Sequence, residues 1–104
     1  MKPLVSIIII NYNTRNFLKG CIDAILGQTY ENIEVIFIDN NSKDDSVKLI
    51  QELYEKESRV KIIANCDNKG YSGAANQGIE LGKGQYIVIT NPDILYEPDY
   101  FQHA

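Results

Sequence analysis

Short, nearly uninterrupted apolar runs alternate along the chain with longer segments in which apolar residues recur every three or four positions. The run Val5-Ser6-Ile7-Ile8-Ile9-Ile10 is β-branched almost throughout, a composition that suits a central strand covered on both faces. After Asn11-Tyr12-Asn13, apolar residues return at Phe17, Leu18, Cys21, Ile22, Ile25 and Leu26. That spacing predicts one helical face turned inward, with Asn13 or Thr14 as N-cap and Gly27 as the stop. Residues 33–38 repeat the buried-strand composition and lead into Asp39-Asn40-Asn41-Ser42. There Ser42 and Asp45 have the spacing of a capping box, opening a second helix with Val47, Ile50, Leu53 and Tyr54 inward. A third strand is predicted over 60–64, a polar turn over 65–70, a helix of small residues over 72–81 closed by Gly82 and Gly84, and a fourth strand over 86–90.

Strands alternating with helices predict an α/β fold, a three-layer sandwich around a mainly parallel sheet with right-handed crossovers. The expected strand order is 3-2-1-4, a Rossmann-like arrangement. No repeat, low-complexity stretch or linker marks a boundary, so residues 1–104 read as part of one domain, and the stretch 94–104 starts something that the chain does not finish.

In an open parallel sheet, ligands bind outside the carboxyl ends of the strands, where the strand order reverses direction. The residues at those ends are Asn11, Tyr12 and Asn13, then Asp39 with Asn40 and Asn41, then Asn91 with Asp93. With the order 3-2-1-4 they line one crevice. Asp39 can accept hydrogen bonds from a base N–H or a ribose hydroxyl, or it can complement the positive end of the second helix. Asp93, within Asn91-Pro92-Asp93, is either a turn former or a carboxylate for a hard divalent cation that clamps a diphosphate. Gly70-x-x-Gly73 is a weak nucleotide-binding signal, and close packing of the third helix on the sheet explains it first.

Composition removes several alternatives. With 104 residues, 44% hydrophobic and 23% charged, the chain is globular with a small core. A net charge of −4, without any run of Lys or Arg, excludes a nucleic-acid partner. The apolar run from Leu4 to Ile10 is too short to cross a bilayer and no signal-peptide cleavage pattern precedes it, so a cytoplasmic protein with no membrane segment in this chain is expected. Cys21 and Cys66 form no C-x-x-C pair, and His103 receives no role. The first strand is followed by neither Gly-x-Gly-x-x-Gly nor a P-loop, which disfavours dinucleotide dehydrogenases and P-loop enzymes. A sugar nucleotidyltransferase would need a Gly-rich basic loop at that place, and a receiver-type domain an acidic pair.

Val5 to Asn13, Gln28-Thr29-Tyr30-Glu31-Asn32-Ile33-Glu34-Val35 and Ile38-Asp39-Asn40-Asn41-Ser42-x-Asp44-x-Ser46 resemble, in order and spacing, the opening of family 2 glycosyltransferases of the GT-A fold. Asn68-Lys69-Gly70-Tyr71-Ser72-Gly73-Ala74-Ala75-Asn76-x-Gly78 and Asn91-Pro92-Asp93 extend the likeness over almost the whole chain. The resemblance implies the nucleotide-sugar-binding portion of such an enzyme, truncated before the acceptor and catalytic-base region. It implies that Asn11, Tyr12, Asn13 and Asp39 hold the nucleoside, that Asn41, Asn68, Gly70 and Asn76 lie near the nucleotide, and that Asp93 holds Mg²⁺ or Mn²⁺ on the diphosphate. Asn91 stands at the first position of the family's D-x-D motif, so one metal-side carboxylate of the common pattern is missing. Asn-Pro-Asp variants resemble rhamnosyltransferases that use a dTDP-sugar, and a UDP-sugar also fits.

The implied reaction is inverting transfer of a hexose to a glycan or lipid-linked acceptor in cell-surface polysaccharide synthesis, in the cytoplasm at the inner face of the membrane. The general base is expected beyond Ala104, which leaves no catalytic residue in this chain and makes the fragment alone inactive. The competing reading is a non-catalytic nucleotide-binding or interaction module on a degenerate transferase scaffold.

Overall fold

The computed structural model describes residues 2–92. Strands β1 (Val5–Asn11), β2 (Ile33–Asp39), β3 (Val60–Ala64) and β4 (Tyr86–Thr90) alternate with helices α1 (Arg15–Leu26), α2 (Ser46–Leu53) and α3 (Gly70–Leu81). The sheet runs β3-β2-β1-β4 with every pairing parallel, the order expected from the sequence. Every residue of β1 and β2 is buried, which is why both read as continuous apolar runs and not as alternating ones.

Alternate residues of the central strands feed two cores. Ile7, Ile9, Val35 and Phe37 pack with Leu18, Cys21, Ile22, Ile25 and Ile50 from α1 and α2. On the opposite face Ile8, Ile10, Ile36 and Ile38 pack with Ala74 and Ala75 of α3. Each isoleucine side chain fully withdrawn from water contributes about 1.5–3 kcal/mol. The small residues of α3 let it lie close on β1: a Cβ at Gly78 would stand 2.5 Å from Ile8 Cγ2. The Gly70/Gly73 pair does something else. Gly70 opens α3 with a left-handed φ of +73°, and a Cβ at Gly73 would meet Lys69 Cβ at 2.9 Å, not the sheet.

Several local expectations are corrected. Helix α3 begins at Gly70 and not at residue 72. Thr14 occupies the N-cap position of α1 without a side-chain cap. Ser42 and Asp45 form no capping box: α2 starts at Ser46, and Asp45 before it has a left-handed φ of 62° with no capping bond. The reason is competition, because the Ser42 hydroxyl is taken by Asp39. Phe17 and Leu53, expected inward, are 53% and 41% exposed, while Leu49 packs against the core.

At the amino ends of the strands, a polar crossbar lies on the α3 face. Ser6 and Glu34 are register partners, and the Ser6 hydroxyl donates to Glu34 Oε2 over 2.5 Å. Ser6 Oγ also accepts the Gly84 N–H at 2.8 Å, Glu34 Oε2 accepts the Lys83 N–H at 2.6 Å, and Glu34 Oε1 accepts Lys61 Nζ at 2.9 Å. Burial pushes the Glu34 carboxyl up, but the bonds from Ser6, Lys83 and Lys61 outweigh it and hold the group below its usual value.

Candidate functional site

At the carboxyl ends of the strands a second polar pair closes the apolar run. Asn11 and Asp39, again register partners, are both buried, and Asn11 Nδ2 donates to Asp39 Oδ1 at 2.7 Å and to Ser42 Oγ at 3.1 Å. Asp39 Oδ1 also accepts the Ser42 hydroxyl at 2.6 Å, and Oδ2 accepts the Ser42 N–H at 2.8 Å. The Thr14 hydroxyl donates to Asn11 Oδ1. Asn13, with a left-handed φ of 56°, completes the joint: its N–H donates to Ser42 Oγ at 2.9 Å and its Oδ1 accepts the Lys43 N–H at 2.8 Å. Asparagine suits that backbone because it tolerates the left-handed region better than a branched side chain does. The β1–α1 and β2–α2 loops are thereby locked together by their own side chains.

A carboxylate offers about four acceptor positions over its two oxygens. Three are used within the cluster, so Asp39 Oδ2 retains one, although the residue is only 2% exposed. Tyr12, next in sequence to Asn11, is 49% exposed. Asp44 lies on the outer side of the same joint, accepting the Arg15 N–H at 3.0 Å together with the Ser46 N–H and hydroxyl. Partial desolvation raises its carboxyl, but the Ser46 and Arg15 donors prevail and keep it below the usual range. Asn13, Arg15, Phe17 and Asp44 border an open depression of about 400 Å³.

Asn40 links this cluster to α3, a role not foreseen beyond its place at the strand end. Its N–H donates to the Asn11 carbonyl at 2.9 Å, while its buried side chain donates to the Gly70 carbonyl at 3.1 Å and accepts Asn65 Nδ2 at 3.0 Å. Asn65 and Gln77 exchange a reciprocal amide pair at 2.8 and 2.9 Å. Asn68 Oδ1 accepts the Gly70 N–H at 2.7 Å and shapes the turn into α3. Asn41 is half-buried with a left-handed φ of 65°, and Asn76 is exposed on α3.

The structure thus joins Asn11 and Asp39 directly, links Asn13 to them through Ser42 and connects Gly70 to them through Asn40; Asn76 takes no part in that network's bonds to Asn40. Because Ile9 pairs with Thr90, exposed Asn91 emerges from β4 at the same end as Asn11. Asp93 lies outside the described residues. Among the described residues no group of three His, Cys, Asp or Glu side chains is arranged to hold a metal. A cation shared with a diphosphate needs only one or two protein carboxylates and not a cluster of three.

The parallel sheet reverses its strand order between β1 and β4, and in α/β sheets of this kind ligands bind beyond the carboxyl ends of the strands at such a point. The chain belongs to glycosyl transferase family 2, whose family model matches residues 6–104. Glycosyltransferase GlyG of Streptococcus pneumoniae is 37% identical over 93 residues, covering 89% of this chain and 31% of GlyG. Chondroitin synthase of Escherichia coli is 38% identical over 97 residues, covering 93% of this chain and 14% of that protein. The chain therefore spans less than a third of either relative. Mannosyltransferase PcManGT from Pyrobaculum calidifontis, solved with GDP-Man and Mn²⁺, has a TM-score of 0.85 at 24% identity, over 92% of this chain and 29% of its own. S. aureus TarS 1-349 in complex with UDP gives 0.85 at 18% identity, over 95% of this chain and 30% of its own. These two likenesses show the shared GT-A fold. No described helix is long and apolar enough to cross a membrane.

Proposed function

We propose that this chain supplies donor and cation binding to an inverting glycosyltransferase, which moves a hexose from a nucleoside-diphosphate sugar to a glycan or lipid-linked acceptor in polysaccharide synthesis. The observation that carries the reading is the Asn11–Asp39–Ser42 joint, a buried carboxylate with one acceptor position left at the carboxyl ends of β1 and β2. GDP-Man with Mn²⁺ in one fold relative and UDP in another support a nucleoside diphosphate as the ligand class.

In this account Asp39 Oδ2 accepts a base N–H, and the exposed Tyr12 ring offers a face for stacking on the base. Asn13 and Asn41 shape the rim from left-handed backbone, while Asn68, Gly70 and Asn76 border the phosphate side. Asp93 would hold Mg²⁺ or Mn²⁺, and Asn91 would add a neutral amide oxygen or a water-mediated contact but no charge. When bound, the cation neutralises negative charge on the leaving diphosphate. The acceptor hydroxyl is deprotonated by a carboxylate further along the full-length protein. The Asn-Pro-Asp variant favours a dTDP-linked sugar such as a rhamnosyl donor, with a UDP-linked sugar as the comparison.

The test is release of nucleoside diphosphate by the full-length protein from dTDP-, UDP- and GDP-linked sugars in the presence of Mn²⁺ and candidate glycan acceptors. Release from one donor class, lost in Asp93→Ala, is expected. Tight donor binding without turnover would support the non-catalytic reading, and no binding of any donor would overturn both.

A further inference from the structure

Strand β4 does not encode its own position. Its sequence Tyr-Ile-Val-Ile-Thr is apolar and β-branched through the middle, its neighbour among the described strands is β1 alone, and Tyr86 and Ile87 are 62% and 39% exposed. Val88 packs on the α1-side core and Ile89 on the α3-side core, so a slip by one residue would exchange apolar side chains between two apolar cores. It would also displace the strand by about 3.3 Å and turn each side chain to the opposite face.

What opposes a slip is the connection before the strand. Gly84 N–H is held by Ser6 Oγ and Lys83 N–H by Glu34 Oε2, while Gln85 N–H donates to the Leu4 carbonyl at 2.9 Å. The fit leaves no play: a Cβ at Gly84 would stand 2.7 Å from the Leu4 carbonyl oxygen and from the Ser6 nitrogen. We infer that Ser6 and Glu34 are positioning residues for the phosphate side of the donor site, because by holding Lys83 and Gly84 they set the register of β4 and so the place where Asn91 and Pro92 emerge. The five residues of β4 carry that setting about 17 Å to the other end of the sheet, with Asp93 next in sequence. The nucleoside side does not depend on it, since the Asn11–Asp39 pair secures β1 against β2 at the crevice end.

The inference rests on the proposed donor and cation site. Its test is calorimetric titration of uridine, and of UDP with Mn²⁺ or with a chelator, into the full-length protein as wild type, Ser6→Ala and Glu34→Gln. The Mn²⁺-dependent gain in UDP affinity is expected to fall about tenfold in both folded variants, with uridine affinity within about twofold of wild type. Equal losses for uridine and UDP would reduce the crossbar to general stability and overturn the inference, as would a full Mn²⁺ gain in the variants. A wild type without any Mn²⁺ gain overturns the cation site itself, a failure visible before a variant is made. Faster amide exchange at Lys83 in Glu34→Gln, with other strand amides protected, is expected from the same account. Unchanged protection there would contradict it even if Ser6→Ala failed to fold.

Discussion

Asn11 and Asp39 face each other as register partners at the last positions of β1 and β2, joined by an Asn11 Nδ2 to Asp39 Oδ1 bond of 2.7 Å. One contact therefore fixes strand register and loop position together. Asp39→Ala would leave Asn11 Nδ2 with only the Ser42 hydroxyl, and the Ser42 N–H without its acceptor. The expected cost is roughly 1–3 kcal/mol of stability, with nucleoside affinity weakened at least tenfold, since the lost bond is charge-assisted. Chemical denaturation and calorimetry with uridine and thymidine check both. A folded variant with unchanged nucleoside affinity would leave Asp39 as a loop lock alone.

The glycines of α1 and α3 differ in consequence. Gly78→Ala would drive a methyl into Ile8, and destabilisation of about 1–3 kcal/mol is expected. A Cβ at Gly20 meets nothing within 4 Å, so Gly20→Ala is expected to stabilise α1 by about 0.5–1 kcal/mol. Melting curves of the two variants should move in opposite directions. A shift of both in one direction would contradict the packing described for α3.

Glu34 adds a pH dependence with a definite sign. Its carboxyl is held below the usual 4.5 in the folded chain, so its bonds stabilise the fold above about that pH and are lost as pH falls through the lower folded value. Glu34→Gln is expected to lose stability at neutral pH and to show a flatter stability profile below about pH 4.5. Denaturation midpoints across pH 3–7 (roughly the carboxylate range) measure this; parallel wild-type and variant profiles would show that Glu34 does not contribute.

Strands and layer order were legible because β1 and β2 are buried on both faces, and burial leaves a composition that needs no partner to be read. The polar clusters were legible only as places. Ser6 with Glu34 and Asn11 with Asp39 are pairs 28 positions apart that meet only once the parallel register is set, so neither bond shows in local spacing. The capping-box reading of Ser42 and Asp45 failed for a different reason, a competition between two local contacts: Asp39, three residues before Ser42, takes its hydroxyl and its N–H. Phe17 followed the helical period of α1 yet lies exposed over the depression beside Asp44, where no sheet covers it. Asn40 could have been singled out only by knowing that α3 returns to the same strand end.

The most direct measurement of the central claim is titration of UDP and dTDP into the full-length wild type and Asp93→Ala, each with Mn²⁺ and with a chelator. A diphosphate and Asp93 repel each other unless a cation lies between them, so the carboxylate helps binding only when the metal is present. The expected result is a wild type that binds more tightly with Mn²⁺ and a variant whose affinity is the same under both conditions and close to that of the metal-free wild type. Equal affinity with Mn²⁺ and chelator in the wild type, or a metal-dependent gain that survives in Asp93→Ala, would contradict it.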